Sequence, residues 1–298
     1  MRTASVQSHF YFDQRSGFRP AFDVYEVVPG VEEDHQTVNE ITSPAQLELG
    51  LKALSDPATT KGRFFAWLHF LDPHDKYLSH PGILYGHSTR DLYDGEVTFT
   101  DQHIGKLLDY VASQPWGART AVVVSADHGE AFGEHKHFRH GFELWDVLTH
   151  VPFMIRIPGV APRRIDTPRS AIDLAPTILE LFGLPKDPAM EGESLLPEIR
   201  GAAAPPRDVI LDLPRTTNSD RRRALIRGDF KLIALGDDEA FQLFDLKNDP
   251  GEEHDVQWSN RAKLEEMKAA YREMSAKMPS ICPKGREKLR GKKSYRRC

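Results

Sequence analysis

The chain has 298 residues, a net charge of −5, 40% hydrophobic and 28% charged residues, a balance that suits a globular fold of one large domain or a large and a small one. It excludes wholesale disorder and argues against nucleic acid as the main partner. The two cysteines, Cys282 and Cys298, exclude a disulfide framework and a Cys-based zinc site; no apolar run is long enough to span a bilayer, and residues 1–9 hold no signal-peptide core.

In chain order, residues 2–6 read as the end of a strand, and residues 8–29 are aromatic and irregular. Ser43-Pro44 predicts a helix start, with Ser as N-cap and Pro at the first position; Leu47, Leu51 and Leu54 would line one face. Residues 63–70 form an apolar run of strand length, ended by the chain breaker Asp72-Pro73. Residues 93–114 carry Val97, Ile104, Leu107, Leu108 and Val111 at helical spacings. Residues 120–125 are β-branched with no polar alternation, which suits a strand buried on both faces of a parallel sheet. Residues 151–157 give another strand, closed by Pro158-Gly159. Asp173 is placed to cap a helix through Ile178, Leu181 and Phe182, with Gly183 as its stop.

The Ala/Pro-rich residues 202–207 read as a linker. Short strands come next at 209–211, 224–227, 230–233 and 241–244, with Gly228-Asp229 as a hairpin turn. A helix over 262–277 and a basic tail over 283–297 complete the chain. The pattern predicts an α/β fold with a mostly parallel sheet sandwiched by helices and a small C-terminal antiparallel subdomain. The expected boundaries are an α/β domain over 1–201, a small α+β subdomain over 202–279 and a tail over 280–298.

Three stretches could carry chemistry. Ser125-Ala126-Asp127-His128-Gly129-Glu130 sets a carboxylate beside an imidazole at the end of a strand, where open α/β sheets bind ligands. Asp127 and His128 suit a divalent metal, and Gly129 would let the backbone approach a ligand; a helix-capping Asp with an incidental His explains the same residues equally well. His74, in Asp72-Pro73-His74-Asp75, is expected on the same rim, where it could act as a general acid or an oxyanion donor, or be a solvated loop residue. Residues 133–141, with His135, Lys136, His137, Arg139 and His140, would favour an anion, or form a basic surface loop.

Taken together in order, these motifs resemble the sulfatase family of the alkaline phosphatase superfamily. The resemblance runs from Phe22-Asp23-Val24-Tyr25-Glu26 through Tyr93-Asp94-Gly95-Glu96-Val97, Asp101-Gln102-His103-Ile104-Gly105 and the Asp127-His128-Gly129 turn. It continues through Asp173-Leu174-Ala175-Pro176-Thr177 and Gly192-Glu193-Ser194-Leu195-Leu196 to Leu243-Phe244-Asp245 and Asp249-Pro250-Gly251-Glu252. It implies an alkaline phosphatase-like fold, Asp127 and His128 as metal ligands, and His74 and His140 contacting the sulfate group. It also implies a divalent metal, with Ca²⁺ first and Mn²⁺, Mg²⁺ or Zn²⁺ open, a sulfate ester as substrate, and a formylglycine nucleophile made from Cys or Ser.

One departure stands out. No C-x-P-S-R-like motif and no paired aspartates precede the strand at residues 2–6. The chain therefore reads as the C-terminal portion of that fold, with formylglycine expected in a missing N-terminal part, and as inactive on its own. It could be a fragment, or one half of a split enzyme whose partner is a separate N-terminal half. A phosphodiesterase, phosphonate hydrolase or phosphoethanolamine transferase would share the Asp-His-Gly signature, and a non-catalytic remnant is the third alternative. The compartment is left open.

Overall fold

The structure, a computed structural model, describes residues 1–12, 16–31, 41–74, 76–216 and 219–278. The chain divides into two compact units, Met1–Ala121 and Val122–Cys298. No helix among the described residues is long and apolar enough to cross a membrane.

The first unit is built on strands β1 (Arg2–Gln7), β2 (Val24–Val27) and β3 (Phe64–Leu68), with helices α1 (Ser43–Ser55), α2 (Pro57–Thr60) and α3 (Thr89–Ser113). The strands form a parallel sheet in the order β2-β1-β3. The inward positions of β1, Ala4 and Val6, pack with Ala53 of α1; Leu54 meets Leu107 and Val111 of α3, with Leu47 and Leu51 alongside. Of the face expected for α1, Leu54 is buried, and Leu47 and Leu51 are half-buried against the same cluster. The other sheet face carries Phe65 and Trp67, covered by Phe12, Phe18 and Phe22 from the aromatic segment.

The start of α1 departs from expectation. Its N-cap is Thr42, and no side chain of the helix's own flank caps it. The Asp72 carboxylate does so from afar, accepting from the amides of Thr42 at 2.6 Å and Ser43 at 2.9 Å. A cap reaching across the fold leaves no local sequence signature. Gln46, fully buried on α1, links the helix to the end of β1: it donates to the Val6 carbonyl at 2.9 Å and accepts from Ser8 at 2.8 Å. Helix α3 opens with a reciprocal Ser88–Asp91 capping box.

In the second unit, in chain order, come β4 (Val122–Ser125), β5 (Ala131–Phe132), β6 (Phe138–Arg139), α4 (Asp146–Thr149), β7 (Phe153–Arg156), α5 (Leu174–Leu181) and α6 (Leu196–Ile199). After them come β8 (Val209–Leu213), β9 (Arg222–Arg227), β10 (Phe230–Leu235), β11 (Ala240–Asp245) and α7 (Arg261–Ser275). Strand β4 pairs antiparallel with β7, and its valines are half-buried. This corrects the expected parallel, doubly buried strand: a β-branched run reports partial burial but not the direction of its partner, and here the chain reverses between the two strands.

The C-terminal sheet is antiparallel in the order β11-β10-β9-β8, as its short strands predicted. Gly228 turns the β9–β10 hairpin at φ +58°. Leu225, Leu232 and Leu243 pack against Leu264, Met267 and Tyr271 of α7, and the opposite face buries Ala224, Ile233 and Phe244 with Leu144. The α/β class with an antiparallel C-terminal subdomain is therefore what the structure shows.

Two details differ. The segment 202–207 is strapped down: Arg163 donates to the Glu198 and Ala202 carbonyls, and Arg169 to the Glu198 carboxylate and the Pro205 carbonyl. Asp173, expected to cap α5, instead accepts from the Glu193 amide at 2.8 Å and pairs with Arg207. Asp75 and the basic tail lie outside the described residues.

Candidate active site

His74 belongs to the first unit; Asp127, His128 and His140 belong to the second. In the first unit, β1 and β3 are parallel neighbours, so the residues after them emerge at the same sheet edge. His9 lies just beyond β1, and its ring is 5.9 Å from that of His74. The loop carrying His74 is anchored at both ends. Asp72 holds the start of α1, and the Glu96 carboxylate accepts from the Leu78 amide at 2.6 Å and meets His80 Nε2 at 2.7 Å. Both side chains of the latter pair are buried. Burial pushes the Glu96 carboxyl up, and the Leu78 amide and His80 oppose that shift. His74, Asp72, Lys76 and Glu96 line a pocket of about 10 Å³, room for about one water.

In the second unit, the turn after β4 brings Asp127 and His128 together. His128 donates from Nδ1 to the carbonyl of Gly129 at 2.9 Å, which leaves Nε2 as the nitrogen with a lone pair. That Nε2 lies 3.7 Å from Asp127 Oδ2. Two donors sharing one divalent ion each sit about 2.0–2.6 Å from it, so this separation fits a shared ion. The Asp127 side chain is 82% exposed, so the donors are reachable from solvent. Among the described residues no group of three or more His, Cys, Asp or Glu is arranged to hold a metal. The residues present thus fit part of a coordination sphere.

His140 stacks on His128 with ring centroids 4.1 Å apart. Its Nδ1 faces the Glu130 carboxylate at 3.1 Å, and Glu130 is buried to 4% side-chain exposure. A buried carboxylate beside Nδ1 fixes the orientation of the ring. Two other residues of the basic loop have partners elsewhere. His135 stacks on Trp145 at 3.9 Å, and Glu134 accepts from the Phe132 amide at 2.6 Å. Of the expected anion-binding loop, His140 alone among the described residues is stacked on the Asp127–His128 pair. At Gly129 the backbone packs tightly: its amide donates to the Leu148 carbonyl at 2.8 Å, and a Cβ there would stand 2.1 Å from the Val147 carbonyl oxygen. The close approach seen there is to α4.

Two residues escaped the sequence reading. Glu130 sits inside the Asp-His-Gly-Glu motif, but only the fold shows its partner. His9 carried a weak signal, as a polar residue just past the C-terminal end of a parallel strand.

A profile described as Sulfatase matches residues 6–184, and one described as N-sulphoglucosamine sulphohydrolase, C-terminal, matches residues 133–279. The chain is 30% identical over 219 residues to the uncharacterized sulfatase YidJ of Escherichia coli K12, covering 70% of this chain and 41% of that protein. Its fold is similar to that of the 2-O GAG sulfatase BT1596, with TM-score 0.72, 18% identity and coverage of 91% of this chain and 71% of that one. It is also similar to the phosphonate monoester hydrolase SpPMH of Silicibacter pomeroyi, with TM-score 0.63, 23% identity and coverage of 78% and 60%. The chain spans less than half the length of the curated relatives it matches. The chain belongs to the sulfatase family and has the α/β fold of its structural neighbours.

Proposed function

We propose that this chain contributes part of the active site of a metal-dependent sulfate-ester hydrolase, with Asp127 and His128 as metal ligands and His74 and His140 as contacts to the sulfate group. The observation that supports this most is the His128 tautomer: with Nδ1 committed to the Gly129 carbonyl, the basic Nε2 is left 3.7 Å from the Asp127 carboxylate. A divalent ion held there, Ca²⁺ first, would stabilise negative charge on the transferred group. His140, backed by Glu130, would donate a hydrogen bond to an oxygen of the bound sulfate. His74, on a loop pinned by Asp72 and Glu96, would donate a proton to the leaving oxygen.

No C-x-P-S-R or S-x-P-S-R motif occurs in the 298 residues, and two metal donors bind an ion weakly. We therefore expect no sulfatase turnover from this polypeptide alone, and a formylglycine nucleophile from a portion not contained in it. A phosphonate or phosphodiester is the second reading, motivated by the fold similarity to a phosphonate monoester hydrolase. Purified chain should be assayed with para-nitrophenyl sulfate, para-nitrophenyl phenylphosphonate and bis-para-nitrophenyl phosphate, with and without CaCl2 or MnCl2. The expected result is no turnover on any of them. Metal-dependent sulfate hydrolysis by the chain alone would overturn the incomplete-site reading, and hydrolysis confined to the phosphorus esters would move the assignment to the second.

A further inference from the structure

The C-terminal sheet holds an ionic cluster that the proposed chemistry does not use. Lys231, on β10, is fully buried; its ammonium lies 2.8 Å from Glu252 and 3.3 Å from Asp146. Glu252 is buried too, and sits in the left-handed region at φ +55°, a conformation a non-glycine residue adopts only when its surroundings hold it there. Its other carboxylate oxygen accepts from the backbone amide of Asp146 at 2.5 Å. Burying one ammonium with two carboxylates is costly, and a well-packed apolar trio would serve stability as well or better. The sheet already has its apolar cores, Leu225–Leu232–Leu243 on one face and Ala224–Ile233–Phe244 on the other.

What the charges add is direction. Both grip the first residue of α4. The backbone of α4 in turn holds Gly129 through the Leu148 carbonyl, and its Val147 carbonyl leaves no room for a Cβ at that position. Gly129 then presents the carbonyl that takes the Nδ1 proton of His128. An unbroken series of short contacts thus runs from the C-terminal sheet to the imidazole.

We infer that Lys231 and Glu252 are positioning residues for the Asp127–His128 turn, acting through the backbone of α4. The importance of that turn rests on the metal-site reading above; the coupling itself does not. The test is amide hydrogen exchange by NMR on the full chain, comparing Glu252→Gln and Lys231→Met with wild type and with Leu243→Ala, which weakens the same sheet without touching the charges. In the charge variants the Gly129 amide should exchange at least about tenfold faster relative to the Leu232 amide than it does in wild type. Leu243→Ala should speed both amides together. If Gly129 and Leu232 change in parallel in Glu252→Gln, the isosteric variant that keeps the packing if Lys231→Met does not fold, the ions are structural only and the inference is overturned. Failure of metal binding with a positive exchange result would remove the functional reading and leave the coupling standing.

Discussion

His128 donates its Nδ1 proton to the carbonyl of Gly129, its own neighbour in the chain, at 2.9 Å. This contact decides what the imidazole can do, because it turns the basic nitrogen to the Asp127 side. It predicts that neutral His128 is almost entirely the Nδ1–H tautomer. Long-range proton–nitrogen correlation spectra should show an unprotonated Nε2. A dominant Nε2–H form would leave Nε2, the nitrogen on the Asp127 side, without a lone pair for a metal.

Gly129 is predicted to be intolerant of any side chain. The added Cβ of Gly129→Ala would meet backbone oxygen of Val147 rather than a flexible side chain. The turn must shift, at a cost of about 2 kcal/mol or more in urea unfolding. A variant as stable as wild type would show that the contact with α4 is loose.

Asp72 is predicted to act through α1 as much as through its neighbour His74. Asp72→Ala leaves the buried amides of Thr42 and Ser43 without their acceptor. The expected loss is about 2–3 kcal/mol in equilibrium unfolding, against a smaller loss for Asp72→Asn. A change in stability below about 0.5 kcal/mol for Asp72→Ala would refute the long-range cap.

Tyr271 makes stability fall in alkali. Burial, aided by the hydrogen bond its hydroxyl donates to Asp238, raises its pKa to about 12. The folded state therefore keeps a proton that the unfolded state releases at about pH 10. The contribution is whole below about pH 10 and is lost as the pH rises toward about 12, amounting to roughly 2–3 kcal/mol. Unfolding titrations of wild type and Tyr271→Phe should converge across that interval. Parallel curves would show that Tyr271 ionises in the folded protein as it does in the unfolded chain.

Much of this was legible in the residues. The leucines of α1, the short strands of the C-terminal sheet and the turn at Gly228 arise from periodicity and turn chemistry. The Asp127–His128 pair stood out because a carboxylate and an imidazole lie just past a strand. What stayed hidden was long-range. Asp72 caps a helix that begins far upstream, Glu130 needs the ribbon of β5 and β6 to meet His140, and three arginines tie down a segment that looks like a linker. The pairing of β4 with β7 was hidden for the same reason: valines declare burial, and only the path of the chain declares direction.

The proposal that Asp127 and His128 hold a divalent ion can be met head-on by adding Mn²⁺ stepwise to the isotope-labelled full chain and tracking paramagnetic broadening. The His128 ring and the Gly129 amide should broaden first, with an affinity in roughly the millimolar range, and Asp127→Asn should abolish that preference. Broadening spread evenly over surface carboxylates, or unchanged in Asp127→Asn, would show that these two side chains are not the metal site.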